Sequence, residues 1–176
     1  MEPHGNDIEQ FTHQRHKTPA VLPADCELVL ACPTMRSNVN LSRIVRAASC
    51  SGVCRMVVCG PHKIDAKIAR DGAQQVRLES RRSLAPALKR LRDEGFQLVG
   101  LEQTTNSQWL PGFSFAPRTA LVIGHERLGL EANVLALLDA VVEIPVFGLP
   151  HSFNVATATA MALYEYCRQH GRTGSP

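Results

Sequence analysis

The sequence predicts an α/β domain built on a mostly parallel sheet with helices on both faces. Short apolar runs rich in β-branched residues alternate with stretches whose apolar residues recur at helical spacing, the pattern of repeated βα units. The runs close at Pro or Gly, as Leu28 to Cys32 does at Pro33 and Thr119 to Ile123 at Gly124, so each reads as a buried strand with a loop at its carboxyl end. With 176 residues and 44% apolar content, the chain can bury one good core, and is short for two.

Taken in order, residues 1 to about 24 read as a flexible N-terminal arm carrying His4, His13, Arg15, His16 and Lys17, broken by Pro19 and Pro23. The domain proper is expected over residues 25–170, with a short tail at 171–176. Leu28–Cys32 is the first strand. Leu41 to Ser51 is a helix, with Leu41, Ile44, Val45 and Ala48 on its buried face and Arg46 expected to face the core beside them. Met56 to Gly60 is the next strand. Ile64 to Ala73 reads as one short helix and Gln75 to Leu78 as a short strand. Leu84, Leu88 and Leu91 line one face of a helix that Gly95 stops.

Phe96 to Leu101 and Thr119 to Ile123 are strands, separated by a long loop, Thr104 to Arg118, that suggests a binding role. Ala132 to Leu138 is a helix. A last strand, Val141 to Ile144, stops at Pro145, and Ser152 is the expected N-cap of a helix over Ala156 to Tyr164. In such sheets ligands bind beyond the carboxyl ends of strands. Three polar loops lie there, at residues 33–40, 124–129 and 145–154, and they converge if their strands are neighbours.

Composition narrows the function. No apolar run approaches the roughly 20 residues of a membrane span, and Met1 to Lys17 has no apolar core of a secretory signal. The six cysteines form no CxxC pair and mostly lie in or beside apolar runs, as reduced, core-packed thiols of a cytoplasmic protein do. Cys50, Cys54 and Cys59 lack a suitably spaced fourth ligand, so no metal is expected. The net charge is only +3, yet 15 of the 19 basic residues are arginine, the residue suited to bidentate phosphate contacts. Arg36, Arg43, Arg46 and Arg55 cluster early. Arg77, Arg81, Arg82, Lys89, Arg90 and Arg92, further on, fit a solvated helix face.

Common nucleotide and hydrolase motifs are missing. No GxGxxG follows the first strand. Gly124 and Gly129 have P-loop spacing, but Leu130 and Glu131 stand where Lys and Ser/Thr would bind phosphate and magnesium. Ser152 lacks the GxSxG elbow.

Three segments together carry a resemblance. Asn40-Leu41-Ser42-Arg43-Ile44-Val45-Arg46, followed by Gly52, resembles the first motif of the SpoU/TrmH family of RNA ribose methyltransferases, in the SPOUT superfamily. Leu121 to Leu130, with Gly124, Glu126 and Gly129, resembles the second, His125 replacing the usual Asn. Ile144-Pro145, Gly148, Ser152-Phe153-Asn154-Val155 and Leu163-Tyr164-Glu165 resemble the third, with Phe153 for the usual Leu. The three span residues 40 to 165 in the family's order and spacing.

The resemblance implies a deep C-terminal trefoil knot, S-adenosylmethionine bound in it, and a homodimer. It implies that Leu101, Gly124, Ile144 and Phe153, with Ser152, hold the cofactor. Asn40, Arg46, Glu126, Ser152 and Asn154 match the functional polar set. Asn40 has a second reading as a helix cap, Glu126 as a binder of backbone amides in its own loop, and Asn154 as a tie within the knot loop. Gly100 to Ser107 resembles the eukaryotic-type tRNA guanosine methyltransferases of the family, which favours a D-loop guanosine of tRNA over ribosomal RNA.

The chemistry that is implied, methylation of a ribose 2′-hydroxyl, requires the hydroxyl to be deprotonated and held in line. A guanidinium stays protonated and is a poor base. Arg46 is therefore expected to clamp an RNA phosphate and stabilise the developing alkoxide, with the phosphate or Ser152 assisting proton removal. Arg36 and Arg43 join it as candidate RNA contacts. A non-catalytic RNA-binding protein of the same fold is the alternative.

Overall fold

A computed structural model describes residues 17–171. Residues 1–16 of the expected arm, with its three histidines, and 172–176 of the expected tail lie outside the described residues. The strands are β1 (Glu27–Cys32), β2 (Arg55–Cys59), β3 (Arg77–Arg81), β4 (Gln97–Leu101), β5 (Gln108–Trp109), β6 (Arg118–Ile123) and β7 (Ala140–Glu143). They form one sheet in the order β3-β2-β1-β6-β4-β7-β5, and every neighbouring pair is parallel. The helices are α1 (Asn38–Cys50), α2 (Ala66–Ala69), α3 (Gly72–Gln75), α4 (Leu84–Asp93), α5 (Ala132–Leu135) and α6 (Val155–His170).

Both faces of the sheet are covered, and the two-residue period of a strand explains how. Leu28, Leu30 and Cys32 of β1 and Leu121 and Ile123 of β6 point into one core, with Ile44 and Val45 of α1 and Leu163 and Tyr166 of α6. Val29, Ala31, Ala120 and Val122 point the other way, onto Leu88 and Leu91 of α4 and Val134 of α5. The alternation therefore divides each central strand between two cores.

Most expected elements are present within a few residues, and the departures have local causes. The single helix expected over Ile64 to Ala73 is two. Arg70, at φ 54° and ψ −138°, ends α2. The chain turns there because Gly72 is pressed against α1, where an added Cβ would lie 3.0 Å from the Val45 carbonyl oxygen. The helix expected to reach Leu138 stops at Leu135 and finishes as a turn. The long loop after β4 contains β5, which adds the edge strand, and a 3-10 turn over Leu110–Gly112. Gly95 stops α4 as expected, at φ 86°.

Ser152 is not the cap of α6. Asn154 is, its side chain accepting from the Ala156 N–H at 2.9 Å. Arg46 does not face the core either: Leu41, Ile44, Val45 and Ala48 fill the buried face of α1, and Arg43, Arg46 and Cys50 form the exposed stripe three to four residues away. Cys32 and Cys59 are core residues, whereas Cys50 and Cys54 are exposed.

Candidate active site

Because β6 lies between β1 and β4, with β7 next in line, the carboxyl ends of four adjacent strands open on the same edge. The three polar loops meet there, joined by the end of β4. Glu126 supplies the first link. Its carboxylate accepts from the backbone N–H of Arg36 at 3.1 Å and of Ser37 at 3.0 Å, tying the loop after β6 to the start of α1. Ser37 is itself the N-cap of α1, accepting from the Asn40 N–H at 3.2 Å. The capping role considered for Asn40 therefore falls to Ser37, and the Asn40 side chain is free for the second link. Its Oδ1 accepts from Asn154 Nδ2 at 3.3 Å, reaching the loop before α6.

These contacts set the charge state of Glu126. Burial pushes its carboxyl up, but the N–H groups of Arg36 and Ser37, its own N–H and the Asn40 amide outweigh burial and hold it below the usual carboxylate range. A group with a lowered folded pKa contributes stability that is present above its unfolded value and lost as pH falls through the folded one. Acid unfolding of the native chain is therefore expected to steepen below about pH 4.3. In Glu126→Gln that component should be missing from urea midpoints measured against pH. Identical profiles would refute the tie between Glu126 and the start of α1.

Glu102, at the end of β4, is the residue that motif reading passed over. Its carboxylate accepts from the Gln103 N–H at 3.0 Å and the Leu130 N–H at 2.9 Å, bracing the loop after β6 from below. The glycines at the ends of that loop follow from this brace. An added Cβ would stand 2.8 Å from Glu102 Oε2 at Gly124 and 2.4 Å at Gly129, which also has φ 65°. The signal was there in the sequence, as an acidic residue directly after a buried strand, but only the neighbouring loop gives it a purpose.

His125 turns inward on its own loop. Its Nδ1 accepts from the Arg127 N–H at 3.1 Å and the Leu128 N–H at 3.3 Å, which places the proton on Nε2, 3.8 Å from Glu126 Oε2. The imidazole thus does what a short amide acceptor does in a turn. His125→Asn should keep the loop and His125→Ala should loosen it, which amide hydrogen exchange at Arg127 and Leu128 would register.

A cavity of about 280 Å³ lies among these loops. Leu101, Gly124, Ile144, Phe153 and Ser152 all line it, with Ile123, Val155 and Ala158 adding apolar wall. Glu102, Glu126 and Glu143 place three carboxylates around the same space. An apolar wall with an acidic rim suits a ligand that joins a flat apolar group to a positive centre.

The expected polar set is not all in one place. Asn40, Glu126 and Asn154 form the linked group, and Ser152 lines the cavity. Arg46 lines a separate open groove with Arg43, Ala47, Cys50 and Ile68 of α2. Arg36 is exposed at the entrance to α1 and contributes its backbone N–H to Glu126. Arg55 does not belong with these. It begins β2 at the opposite edge of the sheet, held by Glu79 at 2.9 Å and Glu94 at 2.5 Å. Arg77 and Arg81 also pair with Glu79, and Arg92 with Asp139.

A parallel sheet of this order with a braced, acidic-rimmed cavity at its carboxyl edge defines a small-ligand-binding α/β class. The chain belongs to the SpoU rRNA Methylase family, whose model matches residues 27–164. It is 39% identical over 82 residues to the mouse protein named tRNA (guanosine(18)-2'-O)-methyltransferase TARBP1, covering 47% of this chain and 5% of that one. It is 28% identical over 151 residues to the tRNA (guanosine(18)-2'-O)-methyltransferase of Escherichia coli K12, covering 84% of this chain and 66% of that one. The chain thus spans less than two thirds of the length of these curated relatives.

Among solved structures, the TrmH/SpoU tRNA modifying enzyme of A. aeolicus superposes with a TM-score of 0.77 at 26% identity, over 81% of this chain and 75% of that one. The SpoU methyltransferase AviRb of Streptomyces viridochromogenes, in complex with the cofactor AdoMet, superposes at 0.66 with 30% identity, over 82% and 60%.

Proposed function

We propose that this chain is an S-adenosylmethionine-dependent RNA methyltransferase acting on a ribose 2′-hydroxyl, with a D-loop guanosine of tRNA as the favoured target. The observation that carries the reading is the cavity. Leu101, Gly124, Ile144 and Phe153, which the family resemblance puts at the cofactor, all line it.

S-adenosylmethionine supplies an electrophilic methyl group on a sulfonium. Leu101, Gly124, Ile144, Ser152 and Phe153 would hold it, and the carboxylates of Glu102, Glu126 and Glu143 complement its positive charge. Glu126, Asn40 and Asn154 keep the loops around the cavity in register. Ser152 is the hydroxyl in the cavity wall that can take part in proton removal, together with an RNA phosphate. Arg46, exposed on α1 beside Arg43, would clamp a phosphate of the bound RNA, with Arg36 two residues before the helix.

The same reading includes a deep C-terminal trefoil knot and a homodimer. Tyr164 and Met161 on the outer face of α6 are 69% and 37% exposed, apolar surface that a second copy would cover. Sedimentation equilibrium tests the dimer. Division into an arm (1–24), a methyltransferase domain (25–170) and a tail (171–176), in a reduced cytoplasmic setting without a metal, completes the proposal. No described helix is long and apolar enough to cross a membrane.

Ribosomal RNA is the alternative substrate, favoured by the family's own description. A non-catalytic RNA-binding protein is the other reading, and one observation favours it: Arg46 lines a groove apart from the cavity. Methyl transfer from labelled S-adenosylmethionine to unmodified tRNA and to ribosomal RNA, followed by nucleoside mass spectrometry, separates all three. A 2′-O-methylguanosine from tRNA is the expected product. Label in ribosomal RNA alone would discard tRNA, and the absence of both transfer and cofactor binding would favour the non-catalytic reading.

A further inference from the structure

Beside the cofactor cavity runs a second groove, of about 430 Å³, bounded by β5 on one side and the loop after β7 on the other. Two aromatic side chains border it. Trp109 is 64% exposed and Phe147 is 97% exposed, although Phe96, Phe113, Phe115 and Tyr166 are buried in the cores. Large aromatic surfaces left in water carry a hydration cost that folding has not removed. Between them Ile144, Pro145 and Val146 line the groove, and Gln103, Glu143 and His151 set polar groups among them. Gln103 Nε2 donates to the His151 carbonyl at 3.2 Å, closing the β4 end onto the loop, and Glu143 accepts from Ser107 at 2.7 Å. Glu143 and Gln103 also line the cofactor cavity, so the two spaces share a wall.

We propose that this groove is a stacking subsite for one unpaired nucleobase of the RNA, held against Trp109 with Phe147 closing the other side. The inference rests on the methyltransferase reading, because it is the RNA substrate that brings the base. Flat apolar faces with hydrogen-bonding groups between them match a base, which offers two π-faces and a polar edge. The Glu143 carboxylate and the His151 imidazole set the groove apart from the core of a protein–protein contact, which is depleted of charged residues. The long loop after β4 thereby gains a purpose, since it delivers Trp109 to the sheet edge. Stacking there would seat the RNA on the same loop that continues into Ser152 and Phe153 of the cofactor cavity.

Trp109 is the chain's single tryptophan, so its emission reports on this groove directly. The experiment titrates the full chain, saturated with S-adenosylhomocysteine, with unmodified tRNA and with a fully paired RNA duplex. RNA binding is followed by anisotropy and cofactor binding by calorimetry. The expected result is quenching of Trp109 by tRNA but not by the duplex. Trp109→Ala should weaken tRNA binding roughly five- to a hundredfold, and Trp109→Phe should restore most of it. Phe147→Ala should diminish the quenching. Cofactor and tRNA binding with unchanged Trp109 emission would overturn the subsite and leave the methyltransferase reading standing. Absence of cofactor heat would strike that reading instead. Emission that changes with protein concentration alone would assign the groove to a second copy and also overturn the proposal.

Discussion

Gly129→Ala is expected to destabilise the chain and to destroy cofactor binding together. At φ 65° an alanine costs about 1–2 kcal/mol in backbone strain alone. The added methyl would also lie 2.4 Å from Glu102 Oε2 and 3.1 Å from the carboxyl carbon behind it. Glu102 is a flexible side chain in principle, but here it is held by the N–H groups of Gln103 and Leu130. Moving aside would leave both donors unpaired, a further penalty on the order of 1–3 kcal/mol. The loop that carries Glu126 would shift with it, and the cavity wall would follow. Urea denaturation should show a loss of roughly 2–5 kcal/mol, and calorimetry with S-adenosylmethionine should show little or no heat. Gly112→Ala is the control, since its methyl meets nothing within 4 Å and should change neither quantity. Native stability and affinity in Gly129→Ala would mean that Glu102 does not brace the loop.

Arg46→Ala is expected to lower methyl transfer by about 10²–10³-fold, the range seen when one preorganised donor to a developing oxyanion is removed. Cofactor affinity should stay the same, because Arg46 lines the α1–α2 groove and not the cavity. Stability should also stay close to native, since the side chain is exposed and Ile44, Val45 and Ala48 supply the packing of α1. Arg46→Lys should recover little, as a point charge cannot grip phosphate with two parallel hydrogen bonds. Single-turnover rates with saturating RNA separate chemistry from binding. Near-full turnover in Arg46→Lys would remove the bidentate clamp from the mechanism. A fall in cofactor affinity would place the arginine in the cavity after all.

The loops of the candidate site were legible as a set before any coordinates, because their residues recur in a family order. Their physical roles were not. Asn40 and Ser152 both had the sequence signature of a helix cap, yet Ser37 and Asn154 cap α1 and α6. Either assignment satisfies local hydrogen bonding, and the approach of Glu126 and Asn154 from distant loops decides between them. Arg46 shows the same limit from the other side. Its neighbours Ile44 and Val45 are buried, but 100° per residue carries Arg46 to the exposed stripe with Arg43.

By itself the sequence determined the alternation of strands and helices, the two-faced burial of the central strands and the glycine stop of α4. Each of these follows from periodicity or from the φ angles open to a single residue, both of which are local. Only the tertiary structure decided that β6 inserts between β1 and β4, that Glu102 braces a loop 28 residues away and that Trp109 comes to the edge beside the cavity. Those outcomes depend on which distant groups share a desolvated space, and no spacing along the chain encodes that.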